Sequence, residues 1–127
     1  MDNIKNDNYY LEKIKYHFDR IINVMKDITY EMYFEDKDIQ DITMFNIIQI
    51  SENVKQLTDE FKLNNSSIPW QDIYGLRNRL VHDYGNVVLD IVYETLINDI
   101  PSLREELFKW FYILVCKSMV YWISVRV

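Results

Sequence analysis

Two long stretches of this chain repeat apolar residues in alternating steps of three and four. Leu11, Ile14, Phe18, Ile21, Met25 and Ile28 form the first series, and Met44, Ile47, Ile50, Val54, Leu57 and Phe61 the second. That rhythm follows the 3.6-residue turn and places each series on one face of a helix. Lys13, Lys15, Asp19, Arg20 and Lys26 fall on the other faces of the first helix. Acids between Asp36 and Asp41 precede the second, where negative charge suits a helix start. With 2 Gly and 2 Pro in 127 residues, the turns of an all-β fold have no material.

The remaining segments follow the same logic. Asn64-Asn65-Ser66-Ser67 interrupts the second helix as a loop. Pro69 can open a third helix, since its missing N–H is no loss in a first turn. That helix runs through Ile73, Leu76, Leu80 and Val81 to about Tyr84, and Gly85 suits the left-handed stop. A fourth covers Leu89, Val92, Leu96 and Ile100. A fifth begins at Pro101, with Leu103, Leu107, Trp110 and Leu114 inward. Four to five amphipathic helices with short connections predict an all-α, up-and-down bundle in one domain.

Composition narrows the function. Cys116 is the lone cysteine, so an intrachain disulfide and a cysteine zinc cluster are excluded, and no cofactor is implied. The polar Met1–Tyr10 stretch lacks the apolar run of a signal peptide, which makes the cytoplasm the expected compartment. A formal charge of -6 argues against gripping nucleic acid by bulk electrostatics, while leaving room for a local cationic site.

That local site is Arg77-Asn78-Arg79-Leu80-Val81-His82-Asp83-Tyr84. Asn78 and His82 are four apart and share a helical face, so the amide can orient the imidazole. Arg77 lies five before His82, which rotates it well off the His direction, and only its length could let it lean towards the same cleft. These types suit metal-independent RNA cleavage: a neutral imidazole takes the 2′-OH proton near pH 7, and a guanidinium offers two donors to the phosphate. Set beside this, Arg and His at a helix C-terminus also complement the macrodipole, and a tyrosine before glycine is often a surface residue.

The run Ile68-Pro-Trp-Gln-Asp-Ile-Tyr-Gly-Leu-Arg-Asn-Arg-Leu-Val-His-Asp-Tyr84 resembles the signature of HepT-like toxins of the HEPN superfamily, with its Pro-Trp, Gly-Leu-Arg-Asn and Arg-x4-His-x-Tyr. Gln40-Asp41, Asn46-Ile-Ile-Gln-Ile-Ser-Glu52, Leu89-Asp-Ile-Val-Tyr-Glu and Asn98-Asp-Ile-Pro-Ser-Leu103 continue the likeness, over roughly residues 8 to 107. The resemblance implies a HEPN-like homodimer acting as an RNase toxin of a type II/VII-like toxin–antitoxin pair. Its antitoxin would be a small nucleotidyltransferase of the MntA type. Arg77 and His82 would carry catalysis at a cleft shared by two protomers, with Asn78 in support. Tyr84 matches the tyrosine to which the antitoxin transfers AMP from ATP. A non-enzymatic HEPN module that docks a nucleotidyltransferase or a nucleotide is the alternative.

Ser51 stands where the family usually carries Gly before Glu52, and serine is its mildest replacement. Glu52 is expected to set the direction of Arg77, against the plainer reading of a solvated acid. His17, between Tyr16 and Phe18, reads as a surface or partly packed histidine rather than a metal ligand. Tyr9, Tyr10, Tyr30, Tyr33 and Phe34 read as core or dimer contacts rather than a stacking platform for bases. The division expected is a HepT-like helical domain over 1–107 and an apolar extension over 108–127. That extension is short for a membrane span and broken by Lys117, so it reads as a continuation of helix five without stable membrane association.

Overall fold

A computed structural model of the chain describes residues 6–82 and 89–109, and among these every regular element is helical. The first helix, α1, spans Asp7–Met25 and buries Leu11, Ile14, Phe18, Ile21 and Met25. Asn6 caps it, its side chain accepting the Tyr9 N–H at 3.1 Å. The chain leaves α1 through Asp27 at φ 61, a left-handed conformation that a short polar side chain tolerates better than most. Ile28 therefore falls outside the helix that its spacing extends. It still packs against the core, and its carbonyl accepts the Tyr93 hydroxyl at 2.7 Å.

A short helix that the apolar rhythm does not announce follows. This is α2, Tyr30–Glu35, started by Thr29, whose hydroxyl accepts the Met32 N–H at 3.2 Å. Asp36 ends α2 and caps α3, Lys37–Lys55, accepting the Ile39 N–H at 3.1 Å. Tyr33 of α2 is fully buried, and its hydroxyl meets the Thr43 hydroxyl of α3 at 2.9 Å.

The second apolar series proves to belong to two helices. α3 stops at Lys55, and Thr58 caps α4, Asp59–Asn64, by accepting the Phe61 N–H at 3.1 Å. Two acids in the first turn of α4 reinforce that start. Leu57 is buried in the link and Phe61 sits in α4, so the series stays continuous in space across a break in the backbone.

Thr58 also fixes how α1 lies on α3. Asp7, the first residue of α1, accepts the Thr58 N–H at 2.8 Å and its hydroxyl at 2.7 Å. The start of α1 is thereby tied to the end of α3, and the two helices run antiparallel. Their apolar faces form the centre of the core.

α5, Trp70–His82, adds Ile73 and Leu76 to that core. Pro69 sits immediately before it, and its carbonyl accepts the Ile73 N–H at 3.2 Å. The expected extension of this helix to Tyr84, and the stop at Gly85, lie outside the described residues.

The last rod departs from expectation at Pro101. α6, Leu89–Glu94, passes into a π-helical turn over Thr95–Asp99, and helical turns go on over 100–109. Pro101 starts no new helix. It lacks the N–H that a regular α-turn would need at that point, and its ring would crowd the carbonyl four residues back. The wider turn, in which the Ile100 N–H reaches the Thr95 carbonyl, passes the proline without breaking the rod. Val92, Leu96, Ile100 and Leu107 bury along it, and Phe108 meets Phe18 edge-on at 6.4 Å. Residues 108 and 109 continue the helical rod and Phe108 joins the core; the remainder of the apolar tail, from Trp110, lies outside the described residues. Among those residues no helix is long and apolar enough to cross a membrane.

Candidate functional site

α5 lies antiparallel on the second half of α3, and the small side chain of Ser51, 2% exposed, forms part of the contact. Ile73 and Leu76 point into the core. The next residue, Arg77, turns back towards α3 and brings its Nε to 3.1 Å from Glu52 Oε1. The Nε makes no hydrogen bond. The two charges therefore touch without an aligned N–H···O. Both side chains are partly exposed, at 35% and 42%, so such a pair contributes about 1 kcal/mol or less to stability. What the contact does supply is direction: a long, flexible guanidinium is held towards one side of α5.

That side is an open groove of about 460 Å³, lined by Ser51 and Lys55 of α3 and by Tyr74, Arg77 and Asn78 of α5. Helix geometry explains the set. Ser51 and Lys55 are one turn apart on α3, while Tyr74, Arg77 and Asn78 are spaced three and four on α5. Lys55 is exposed and, among the described residues, makes no ion pair. Tyr74 is half-buried and held from behind: Lys62 Nζ donates to its hydroxyl at 2.5 Å and stands 5.3 Å from the ring centroid. The Lys62 carbonyl in turn accepts Trp70 Nε1 at 3.2 Å, which locks α4 to the start of α5.

Sequence reasoning named Arg77, Asn78, His82, Tyr84 and Glu52. The structure brings Glu52 to Arg77 and puts Asn78 on the same groove. His82 is the last residue of α5, four positions beyond Asn78; its side chain, and Tyr84 altogether, lie outside the described residues. Lys55 and Tyr74 were not singled out in the sequence. The signal for them was present: Lys55 is four residues after Ser51, and Tyr74 three before Arg77, the spacings that put side chains on a shared face.

Two other grooves differ in character. One, of about 390 Å³, is lined by Pro69, Asp72, Leu76, Asp99, Ser102, Leu103 and Glu106, and its carboxylates repel a phosphate. The other, of about 410 Å³, holds Tyr9, Glu12, Lys13, Tyr16 and His17. Asn46 fixes His17 there. The amide nitrogen of Asn46 donates to the Ile42 carbonyl at 2.7 Å, so its oxygen faces His17 Nδ1 at 2.8 Å and assigns the proton to that nitrogen. Among the described residues no group of three His, Cys, Asp or Glu side chains is placed to hold a metal ion. Of the five aromatics weighed in the sequence, Tyr33 is core and Tyr10 packs on it, while Tyr9, Tyr30 and Phe34 are exposed.

The family profile described as "Ribonuclease HepT-like" matches residues 9–109, which takes in α3, α5 and the whole Arg77–His82 segment. The chain belongs to the HepT-like ribonuclease family. A protein of Caldanaerobacter subterraneus subsp. tengcongensis named "Putative RNase" is 33% identical over 97 residues, covering 76% of this chain and 87% of its own. A "Probable ribonuclease HepT" of Thermococcus cleftensis is 32% identical over 99 residues, 75% of this chain and 86% of its own. A longer protein of Methanocaldococcus jannaschii, "Gamma-glutamylcyclotransferase and putative RNase", is 34% identical over 79% of this chain; the match spans 45% of that protein. No solved structure matches the chain.

Proposed function

We propose that this HepT-like protein is a metal-independent endoribonuclease, working as a homodimer and acting as the toxin of a toxin–antitoxin pair. The observation that carries the reading is Arg77, directed by Glu52 onto an open groove shared with Asn78, which lies one turn before His82, in a chain whose family is that of HepT-like ribonucleases. His82 as a neutral imidazole takes the proton from a ribose 2′-OH. The 2′-oxygen attacks the adjacent phosphorus, and the bond to the 5′-oxygen breaks. The products are a 2′,3′-cyclic phosphate and a 5′-hydroxyl, the latter taking its proton from the second protomer's imidazole across the cleft. Arg77 binds the phosphate oxygens as charge builds on them, and its planar fork suits that task better than a lysine. Asn78 holds the imidazole in register.

Neutralisation follows from the same charges. A nucleotidyltransferase antitoxin transfers AMP from ATP to the Tyr84 hydroxyl, releasing pyrophosphate, and places a bulky anion two residues from His82. That anion occupies the guanidinium and repels the RNA backbone.

The test is cleavage of single-stranded RNA in the presence of a chelator by wild type, Arg77→Ala and His82→Ala. Wild type is expected to cleave. Loss of the acid–base group should cost about 10²–10⁴ in rate, and both variants should lose growth inhibition while staying folded. Folded variants as active as wild type would remove both residues from the mechanism. Absence of cleavage in wild type, with retained nucleotidyltransferase binding, would make the protein a docking module instead.

A further inference from the structure

Cleavage at one phosphate uses Arg77 and His82, yet the groove at Arg77 extends one helical turn further and ends in a lysine and an aromatic ring. We propose that Lys55 and Tyr74 form a nucleotide subsite for the RNA strand beside the scissile phosphate. Lys55 takes the neighbouring phosphate and the face of Tyr74 carries a base. The proposal rests on the RNase reading above and adds to it where the strand lies.

Charge is the first argument. The chain carries a net charge of -6, so a polyanion has no general reason to approach it. Along this groove the sign reverses. Among the described residues Lys55 makes no ion pair and Arg77 is met by a single carboxylate, and Lys62 stands behind Tyr74. The groove at Asp72, Asp99 and Glu106 carries the opposite sign and cannot serve the same strand.

Shape is the second. Ser51 is small and buried, so it leaves room between Lys55 and Arg77. A volume of about 460 Å³ lies within the range of small-ligand sites, roughly 300–1,000 Å³. Tyr74 and Asn78 are four residues apart, about 6 Å along the axis, comparable with one step along a single strand.

Tyr74 itself is the third. Single-stranded RNA is bound largely by stacking unpaired bases on aromatic rings, and a ring that is already fixed loses little freedom on doing so. Lys62 fixes this one through the hydroxyl at 2.5 Å. Lys62 is therefore a positioning residue for the stack.

The experiment compares wild type, Lys55→Gln, Tyr74→Phe and Tyr74→Leu, each checked for folding by circular dichroism. Three probes separate the questions: a hexaribonucleotide for cleavage, a dinucleoside monophosphate that holds only the scissile phosphate, and a 2′-O-methyl hexamer that binds but cannot be cut. Lys55→Gln should raise the hexamer KM and the 2′-O-methyl Kd about tenfold with kcat unchanged. It should also flatten the dependence of log Kd on log salt by about 0.7, the contribution of one single-strand phosphate contact. Dinucleotide cleavage should not change. Tyr74→Leu should weaken 2′-O-methyl binding roughly five- to a hundredfold, while Tyr74→Phe keeps the ring but loses the Lys62 tether, and should fall between wild type and Tyr74→Leu. If Tyr74→Leu does not fold, the exposed Lys55 position carries the test alone.

Unchanged Kd and salt slope in Lys55→Gln would overturn the subsite, as would an equal loss on the dinucleotide or a wild type that binds no oligonucleotide. The two readings fail separately. Binding losses of the expected size without RNA cleavage leave the subsite standing and remove the nuclease. Cleavage with variants that bind as tightly as wild type does the reverse.

Discussion

Glu52 holds Arg77 by charge, at 3.1 Å, without an aligned hydrogen bond from Nε. An arginine held that way keeps its donors for a ligand, because among the described residues no carboxylate engages the fork in a bidentate pair. Replacing Glu52 with Gln preserves the volume and removes the attraction. The expected outcome is a fall in RNA cleavage of about tenfold through misdirection of Arg77. The pair is partly exposed, so stability should move by about 1 kcal/mol or less. Parallel measurement of kcat and thermal midpoint checks this, and a midpoint that drops with unchanged kcat would make Glu52 a structural residue only. Arg77→Lys belongs to the same argument. It keeps the charge and loses the planar fork, and should cost much of the activity that Arg77→Ala loses.

At the scale of elements, α2 is held to α3 by one buried hydroxyl pair. Thr43 has a single proton, and its oxygen lies 2.9 Å from the Ile39 and Gln40 carbonyls as well as from Tyr33. Tyr33 is thus the natural donor to Thr43. Burial pushes the Tyr33 phenol above its ordinary 10.0, and the charge of Asp41 pushes the same way. A folded value raised above the unfolded one means the folded state holds its proton more tightly. The contribution is fully present below pH about 10 and is lost as pH rises through the folded value. Stability should therefore fall more steeply above pH 10 in wild type than in Tyr33→Phe, followed by denaturant titration at several pH values. Identical slopes would count against it.

The same scale shows what could be read from residues alone. The apolar series of α1 and α3 were legible because burial follows periodicity, and the core confirms them residue by residue from Leu11 to Val54. The break after Lys55 was not, because Val54, Leu57 and Phe61 keep the rhythm on both sides of it. The competing signal was Thr58-Asp59-Glu60, a cap followed by first-turn acids, and capping chemistry decided the boundary. α2 has six residues, too few for a period, and only Thr29 announced it. Pro101 misled in the other direction, since a proline reads as a helix start and here a π-turn absorbs it. At the site, Arg77 and Asn78 were legible as chemistry, whereas Lys55 and Tyr74 needed the packing of α3 on α5 to bring them to the same groove.

For the molecule as a whole, the proposed activity needs two copies. α5 buries Ile73 and Leu76 and turns Arg77 and Asn78 outward. Two such faces about a two-fold axis would bring both Arg–His motifs into one cleft. We expect a solution mass of two 15.5 kDa chains at micromolar concentration. A fully active single chain would sink the shared cleft. Co-expression with a cognate nucleotidyltransferase should add AMP at Tyr84, seen as one mass increment on the peptide that contains it. Tyr84→Phe should remain toxic in its presence. A neutralised complex with an unmodified Tyr84 would instead assign inhibition to docking.

The turn at Thr95–Asp99 has a consequence for how this protein can vary. A π-turn spends one residue more than the α-turn it replaces, so the rod from 89 to 109 carries a surplus position. A helical wheel drawn straight through it mixes two registers, one before the turn and one after it. Ile97, 38% exposed within the turn, is the kind of position that could be deleted while both flanking registers stay seated. Length here is adjustable in steps of one, an allowance that an unbroken α-helix, where every deletion rotates all that follows, does not have.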